Sequence, residues 1–480
     1  ELANLKYKNM KVKNILFGIL IFTGCLAYSQ NTTPVSLVAG ISDQSSIVTK
    51  TIVRAYKGYS VAYIERGGGH FFTISDTPTQ TNPANNIELK KAEISSNYSV
   101  EDFKVYGDYI YCCGIYMNYY GFVGFANIKD LLEHSTFDFK AYNNFKNPYE
   151  LNYYVNKLYK LEVYESMDEL RIVAIGKTIN SNNKSKSCLL KIATFLDSTN
   201  IAYKIIESSS DKEEINDIAV TDNYVVTVGS IFGRNEAAIR RFDKYHLVSN
   251  LTTVYTYPTN ENNSTLYIAE DINDFLITKV SGDTIAIASY WYIPAAANLG
   301  TNLRGTLVRI YDLSTTTAPT MMTSMSVNQN YYIGNWKLKE FQYNNTFPSF
   351  IILQDAEEFS NTLESILTRI SFNPLVVQTE YYPNIKLSSL DNVEGTMYCL
   401  LNGFSKPTAN TYNMLSVKLN NYNNSNTCAV YQSGTISFKS IYTSKIETVP
   451  LVTFGMEGEF ISIGNIPIST ENYINSCVKY

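Results

Sequence analysis

The chain has 480 residues, 45% hydrophobic and 17% charged, with a formal net charge of −5; that is enough apolar material for a substantial core. No run of Lys and Arg is present, which argues against a nucleic-acid partner, because binding to a phosphate backbone needs a basic footprint. Tyrosine is abundant at 39 copies, against 2 Trp and 3 His, a balance that suits half-buried strands in which the ring packs and the hydroxyl stays wet.

Met10 reads as the start, with residues 1–9 as upstream sequence. Lys11 and Lys13 precede an apolar run, Ile15 to Phe22, too short to span a bilayer as a mature helix, so residues 1–29 are expected to be upstream residues plus a signal peptide. Two processing sites compete. Ala27-Tyr28-Ser29 before Gln30 fits ordinary cleavage, whereas Phe22-Thr23-Gly24-Cys25 resembles a lipobox with Phe where Leu is usual, making Cys25 a candidate lipidation site. Either implies export to the periplasm or cell surface. No other stretch is a transmembrane candidate, and a monomer is expected.

Export permits disulfides. Cys112, Cys113 and Cys399 lie within strand-like runs, where a free Cys acts as a small hydrophobe, and Cys428 with Cys477 is the pair to expect if one forms. There is no CxxC and no Cys/His cluster, so neither a zinc site nor any cofactor is expected.

From Gln30 onward helical periodicity is nearly absent; Lys129 to Glu133 is the best short helix. Repetition takes its place. The unit is clearest at Ile215-Asn216-Asp217-Ile218, a turn at Thr221-Asp222-Asn223, then Tyr224 to Gly229 and Ala237 to Phe242. Runs rich in β-branched and aromatic residues bounded by Gly, Asn and Asp predict paired antiparallel strands. Similar units start at 52, 100, 155, 215, 272, 338, 387 and 438, spaced 48 to 66 residues apart. That period, with three or four strands per unit, predicts an all-β fold: a single β-propeller over residues 30–480, of about eight blades, with seven as the alternative because the first and last units could share one. Pro34 to Ile41 reads as a lone strand that completes the last blade and closes the ring.

The phrases Val100-Glu101-Asp102-Phe103 to Gly114, and Ile215-Asn216-Asp217-Ile218 to Gly229, resemble secreted β-propeller proteins of gut Bacteroidales. The resemblance covers essentially the whole mature chain and implies the propeller fold and export, but brings no catalytic residues. The Trp-Asp repeat and kelch double glycine of better-known propellers are absent.

Two sets of residues are candidates for function. Asp102, Asp217 and Asp274 share one phase of the repeated first strand, occupied elsewhere by Arg54, Lys157, Glu340, Ser389 and Ser440. They form either a polar ring that binds a cation or a polyhydroxylated ligand, or acids that satisfy backbone N–H groups between blades. Aromatic loops make the second set: Tyr116-Met117-Asn118-Tyr119-Tyr120, and Ser289 to Pro294 containing Trp291 and Tyr292. Aromatic faces beside amides suit sugar rings or a protein partner; ordinary loop packing is the alternative. Gly67-Gly68-Gly69-His70 lacks the Lys-Ser/Thr of a phosphate loop and predicts a hairpin turn. His70, His134 and His246 have no carboxylate or Cys at suggestive spacing, so no triad or metal site is expected. The expectation is an exported, noncatalytic propeller binding a glycan or envelope protein on its loop face. The alternative is a carbohydrate-active hydrolase or lyase using acids at the channel mouth.

Overall fold

The computed structural model describes residues 37–41, 48–76, 88–147, 153–193, 202–245, 253–293, 303–329, 336–372, 375–418, 430–438, 445–448 and 451–475, with breaks of a few residues inside some of these ranges. The fold is all-β. The short helix Ile128–Glu133 falls where the sequence places it, and the Asn127 side chain accepts the Lys129 N–H at its start.

Among the described residues the strands group into seven antiparallel sheets of four principal strands each, called I to VII in chain order; a short strand, Asn260–Asn263, also pairs with the start of the first strand of V. Sheet I covers residues 48–94, II 98–146, III 154–208, IV 213–258, V 266–329 and VI 336–383. Sheet VII takes three strands from 385–418 and its fourth from Leu37–Ile41, which pairs with Thr411–Lys418 from Leu37 opposite Lys418 to Ile41 opposite Met414. The lone N-terminal strand therefore completes the unit read from 387, not the one expected from 438. The first strands are Val48–Tyr56, Tyr98–Tyr106, Tyr154–Ser166, Glu213–Val220, Leu266–Ser281, Trp336–Asn344 and Ile385–Asn392. Each lies beside the first strand of the next sheet, and that of VII lies beside that of I, so the order closes on itself.

The near-continuous apolar runs follow from burial on both faces. Cys112 faces a core shared by sheets I and II, with Tyr63, Phe72, Phe103 and Phe139. Its neighbour Cys113 points the other way, into a core of sheets II and III with Leu158, Ala174 and Leu190. Equivalent layers join III to IV around Val173, Ile175 and Phe242, IV to V around Val226 and Ile287, and V to VI around Ala288 and Ile352. Each large side chain removed from water in these layers is worth about 1.5–3 kcal/mol. Cys112, Cys113, Cys188 and Cys399 are buried and free, the first, second and fourth as the strand pattern expects; Cys25, Cys428 and Cys477 lie outside the described residues.

Among the described residues no eighth unit starts at Phe438. The described strands between Val430 and Asn475 instead form a belt on the outer edges of the seven sheets. Val430–Ser433 pairs with the fourth strand of VI, Thr435–Phe438 with that of V and Lys445–Thr448 with that of IV. The 22-residue strand Leu451–Asn472 then runs along the fourth strands of III, II and I, linking these three sheets into one ladder. Ile474–Asn475 ends the circuit on Leu37–Ile41 of sheet VII. The physical reason is the edge: every fourth strand would otherwise present a row of unpaired N–H and C=O groups.

Gly67-Gly68 form the expected hairpin turn, with φ of 58° and 82° between Tyr59–Arg66 and Gly69–Asp76.

Candidate functional site

The first strand of each sheet pairs with one neighbour only along most of its length, so its remaining N–H groups face the adjoining sheet and need acceptors. Local sequence supplies them through a bulge. The pairing of the first strand slips between Val100 and Asp102, Leu158 and Lys160, Ile215 and Asp217, Leu338 and Glu340, and Leu387 and Ser389. The extra residue turns the next side chain toward the following sheet. Asp102 Oδ2 accepts the Leu161 N–H at 3.2 Å, Asp217 Oδ2 the Ile277 N–H at 3.0 Å, and Ser389 Oγ the Val53 N–H at 3.1 Å. Asp274 accepts the Leu338 N–H, and Asp391 Oδ2 the Ala55 N–H at 2.7 Å. A second set of acceptors lies at the residue before the slip: Tyr63 Oη for Val100, Ser187 Oγ for Ile215 and Ser365 Oγ for Leu387. The three candidate acids therefore tie sheet to sheet, the second of the two roles their phase allowed.

The phase itself needs correction. Sheet III slips twice, between Val155 and Lys157 and between Leu158 and Lys160, and Lys160, not Lys157, follows the slip opposite Gly176, as Asp217 follows the one opposite Gly229; Arg54 sits two residues before the first turn, where sheet II has Lys104. Ser440 lies outside the described residues. Arg54, Asp102 and Ser389, which are buried, and Lys104, Lys160 and Glu340, which are half-buried, meet in one network. Arg54 donates from Nη2 to Asp102 Oδ1 at 2.7 Å, from Nε to Phe103 O at 2.8 Å, and from Nη1 to Val53 O at 2.8 Å and Ser389 Oγ at 3.1 Å. Glu340 lies 3.6 Å from the same guanidinium and 3.8 Å from Lys160 Nζ, and Lys104 pairs with Glu162 at 2.8 Å. Sheets I, II, III, VI and VII thus converge on one set of charges. Burial opposes the Arg54 charge, but Glu340, Asp102 and Asp391 outweigh it and raise its pKa. Burial likewise works against the Asp102 carboxylate, and Lys160, Arg54 and Lys104 hold it below the usual range.

Asp217 differs. Burial pushes it up to about 6, against the pull of Lys160 and of the N–H groups of Ile277 and Ile218. Because its folded pKa lies above the unfolded value, the native state binds the extra proton between about pH 4 and 6, and its contribution falls as pH rises through that window. Asp217→Asn is expected to remove this slope. Unfolding free energies of wild type and variant from denaturant titrations at pH 4 to 7 should diverge by up to about 3 kcal/mol; parallel curves would show that Asp217 is ionised throughout.

The aromatic candidates lie elsewhere. Tyr116 to Tyr120 closes a hairpin at the end where first strand Tyr98–Tyr106 begins, with Met117 and Asn118 at φ of 49° and 64°. Tyr116 packs on Tyr98, ring centroids 4.8 Å apart, and Tyr120 meets Tyr154 at 5.2 Å with Lys146 Nζ 5.6 Å from its ring. Tyr119 is 64% exposed and Met117 46%. Asn156 Nδ2 donates to Tyr119 O at 3.1 Å, so the turn is braced from sheet III. Trp291 and Tyr292 are not loop residues. The second strand of sheet V continues to Ile293 because its pairing with Leu303–Asp312 continues, placing Trp291 opposite Gly305 and Tyr292 opposite Arg304. Both stand at the corresponding end of their sheet, and residues 294–302 lie outside the described ones.

In sheet II the acid and the aromatic turn do not form one site: Asp102 is 2% exposed and lies four residues along the strand from Tyr98, about 13 Å at the usual strand rise. No family model matches the chain, and neither does any curated protein. Among the described residues, no cluster of His, Cys, Asp and Glu could hold a metal. His134, contrary to the spacing argument, has a carboxylate partner, Asp130 Oδ1 at 3.1 Å; the pair lies one helical turn apart. His70 Nδ1 meets Tyr98 O at 2.7 Å and Tyr63 Oη at 2.9 Å, and His246 is outside the described residues. The sequence reading missed Lys160, Asp391 and the Tyr63, Ser187 and Ser365 acceptors. The glycine ending the second run, opposite the slip, was the available signal.

Proposed function

We propose that the seven sheets are the blades of a β-propeller and that the protein is a noncatalytic binding module. Its ligand, a glycan or another envelope protein, docks on the rim that carries the Tyr116–Tyr120 turn. One observation carries this reading: Tyr119 and Met117 stand exposed on a hairpin whose other tyrosines are fixed by tilted and edge-to-face ring contacts. A rigid turn that holds an aromatic face in water suits the C–H surface of a sugar ring, with Asn118 supplying amide hydrogen bonds beside it. The hydrolase reading has less support, because Asp102, Asp217 and Asp274 already accept main-chain N–H groups from the adjoining sheet. Export, with either cleavage before Gln30 or lipidation at Cys25, belongs to the same proposal, as does grouping with the secreted propellers of gut Bacteroidales; residues 1–36 lie outside the described ones. Among the described residues no helix is long and apolar enough to cross a membrane.

Binding on a glycan array followed by calorimetry tests the reading. Tyr119→Ala is expected to weaken binding at least about tenfold, the size of one aromatic hot spot, while leaving the melting temperature unchanged. Trp291→Ala reports whether the site extends to sheet V. Wild-type affinity in both variants would remove this rim from the account.

A further inference from the structure

The strand Leu451–Asn472 covers the edges of three sheets, and over 458–470 every side chain but Ile466 is half-buried or exposed. Among its described side chains Met456 and Ile466 are the buried anchors, at 6% and 7% exposure, and Ile463 and Ile468 are partly buried against the core. Glu459, Ser462, Pro467 and Thr470 face water, and Phe460 is 51% exposed although it touches the Tyr142 ring at 5.1 Å. Main-chain ladders supply most of what holds it: Tyr203 to Ser208 of sheet III against 456 to 451, Thr136 to Lys146 of sheet II against 467 to 457, and Glu88 to Ala92 of sheet I against 472 to 468. The next strand, Ile474–Asn475, is held by two register pairs. Elements that bury few apolar groups and rely on outer ladders open with the least free energy, so this strand can peel from its Asn475 end while the inner three strands of each sheet stay packed.

We propose that the outer edges of sheets I, II and III are a strand-acceptor surface, and that the partner which fits it is the 451–472 segment of a second copy of this chain. The fit is already visible. The acceptor's two apolar seats, one in the core of sheets II and III and one in the core of I and II, take Met456 and Ile466, ten residues apart. The slips between Glu457 and Glu459 and between Ile463 and Ile466, the latter with Asn465 at a φ of 61°, set the spacing between those seats. A foreign extended segment would have to reproduce both anchors and both slips, whereas another copy carries them by identity. Exchange keeps the register and adds no new contact, so reciprocal exchange joins two rings and one-way exchange builds a chain of them.

The test uses full-length chains and the facing pair Lys140 and Ser462. A chain carrying both Lys140→Cys and Ser462→Cys is expected to form the disulfide within itself on oxidation. Tagged Lys140→Cys and untagged Ser462→Cys chains, mixed and oxidised after increasing delays, are expected to cross-link between copies in an amount that grows with time and concentration. Met456→Ala with Ile466→Ala added to both should speed that growth more than about tenfold, because the two anchors resist peeling. A within-chain disulfide with no inter-chain product after prolonged mixing at high concentration would overturn the proposal. So would a doubly substituted chain that fails to cross-link, or a growth rate indifferent to loss of the anchors.

Discussion

Arg54→Ala is expected to lose about 3–5 kcal/mol of stability, the range measured when one partner of a buried ion pair is removed. The guanidinium contacts sheets I, II, VI and VII through Asp102, Phe103 O, Val53 O, Ser389 and Glu340. Its loss leaves Lys160 as the remaining cation for Asp102 and Glu340 and takes a donor from the Phe103 and Val53 carbonyls. Arg54→Lys should recover only part of this, since a point charge cannot bond in several directions at once. The double variant Arg54→Leu with Asp102→Asn should cost less than Arg54→Ala alone, because the carboxylate that Arg54 bonds at 2.7 Å is neutralised together with it. Chemical denaturation of the three variants decides the matter. A loss under about 1 kcal/mol for Arg54→Ala would mean that water reaches the network.

Gly229→Ala should be comparably damaging, by about 3 kcal/mol or more, for a different reason. A Cβ at this position would lie 1.8 Å from the Glu214 carbonyl oxygen, in the strand that slips past it. Gly114, Gly176 and Gly403 stand at the same place in sheets II, III and VII, with backbone oxygens 2.0, 2.0 and 2.2 Å from the added atom. Main chain cannot swing aside as a flexible side chain can, so the bulge must move, and with it the Asp217 bond to Ile277. Gly464→Ala serves as control. Its Cβ would meet Asp138 at 3.5 Å, an ordinary contact, and the change should stay within about 0.5 kcal/mol. Equal melting temperatures for Gly229→Ala and Gly464→Ala would contradict the packing described.

Much of this architecture was legible in the residues. The unit starts read at 100, 155, 215, 338 and 387 fall within two residues of first strands that begin at Tyr98, Tyr154, Glu213, Trp336 and Ile385. Alternating apolar runs broken by Gly, Asn and Asp are local signals, and local signals survive without coordinates. The belt was not legible. Val430–Ser433, Thr435–Phe438 and Lys445–Thr448 are four residues each and pair with strands of other units, so counting periods merged the last stretch into an eighth unit. The acids fall between. Their phase was visible at Asp102 and Asp217, but a one-residue slip decides where each points, which moved the assignment from Lys157 to Lys160. Arg54 bonds to a partner 48 residues away, a pairing no spacing rule anticipates. Trp291 read as a loop residue because the aromatic and Pro-containing run around it imitates one.

The pairing of Leu37–Ile41 with Met414–Lys418 also bears on time. Two segments at opposite ends of the described chain must meet before sheet VII is complete, so the closing step carries a high contact order and is slow. The same seam holds Ile474–Asn475, and every sheet on either side leans on a neighbour. Opening the seam frees an edge and the end of the belt together, and the barrier to that opening governs how long a folded molecule lasts. The durability of the ring is thus a rate set at a five-residue strand.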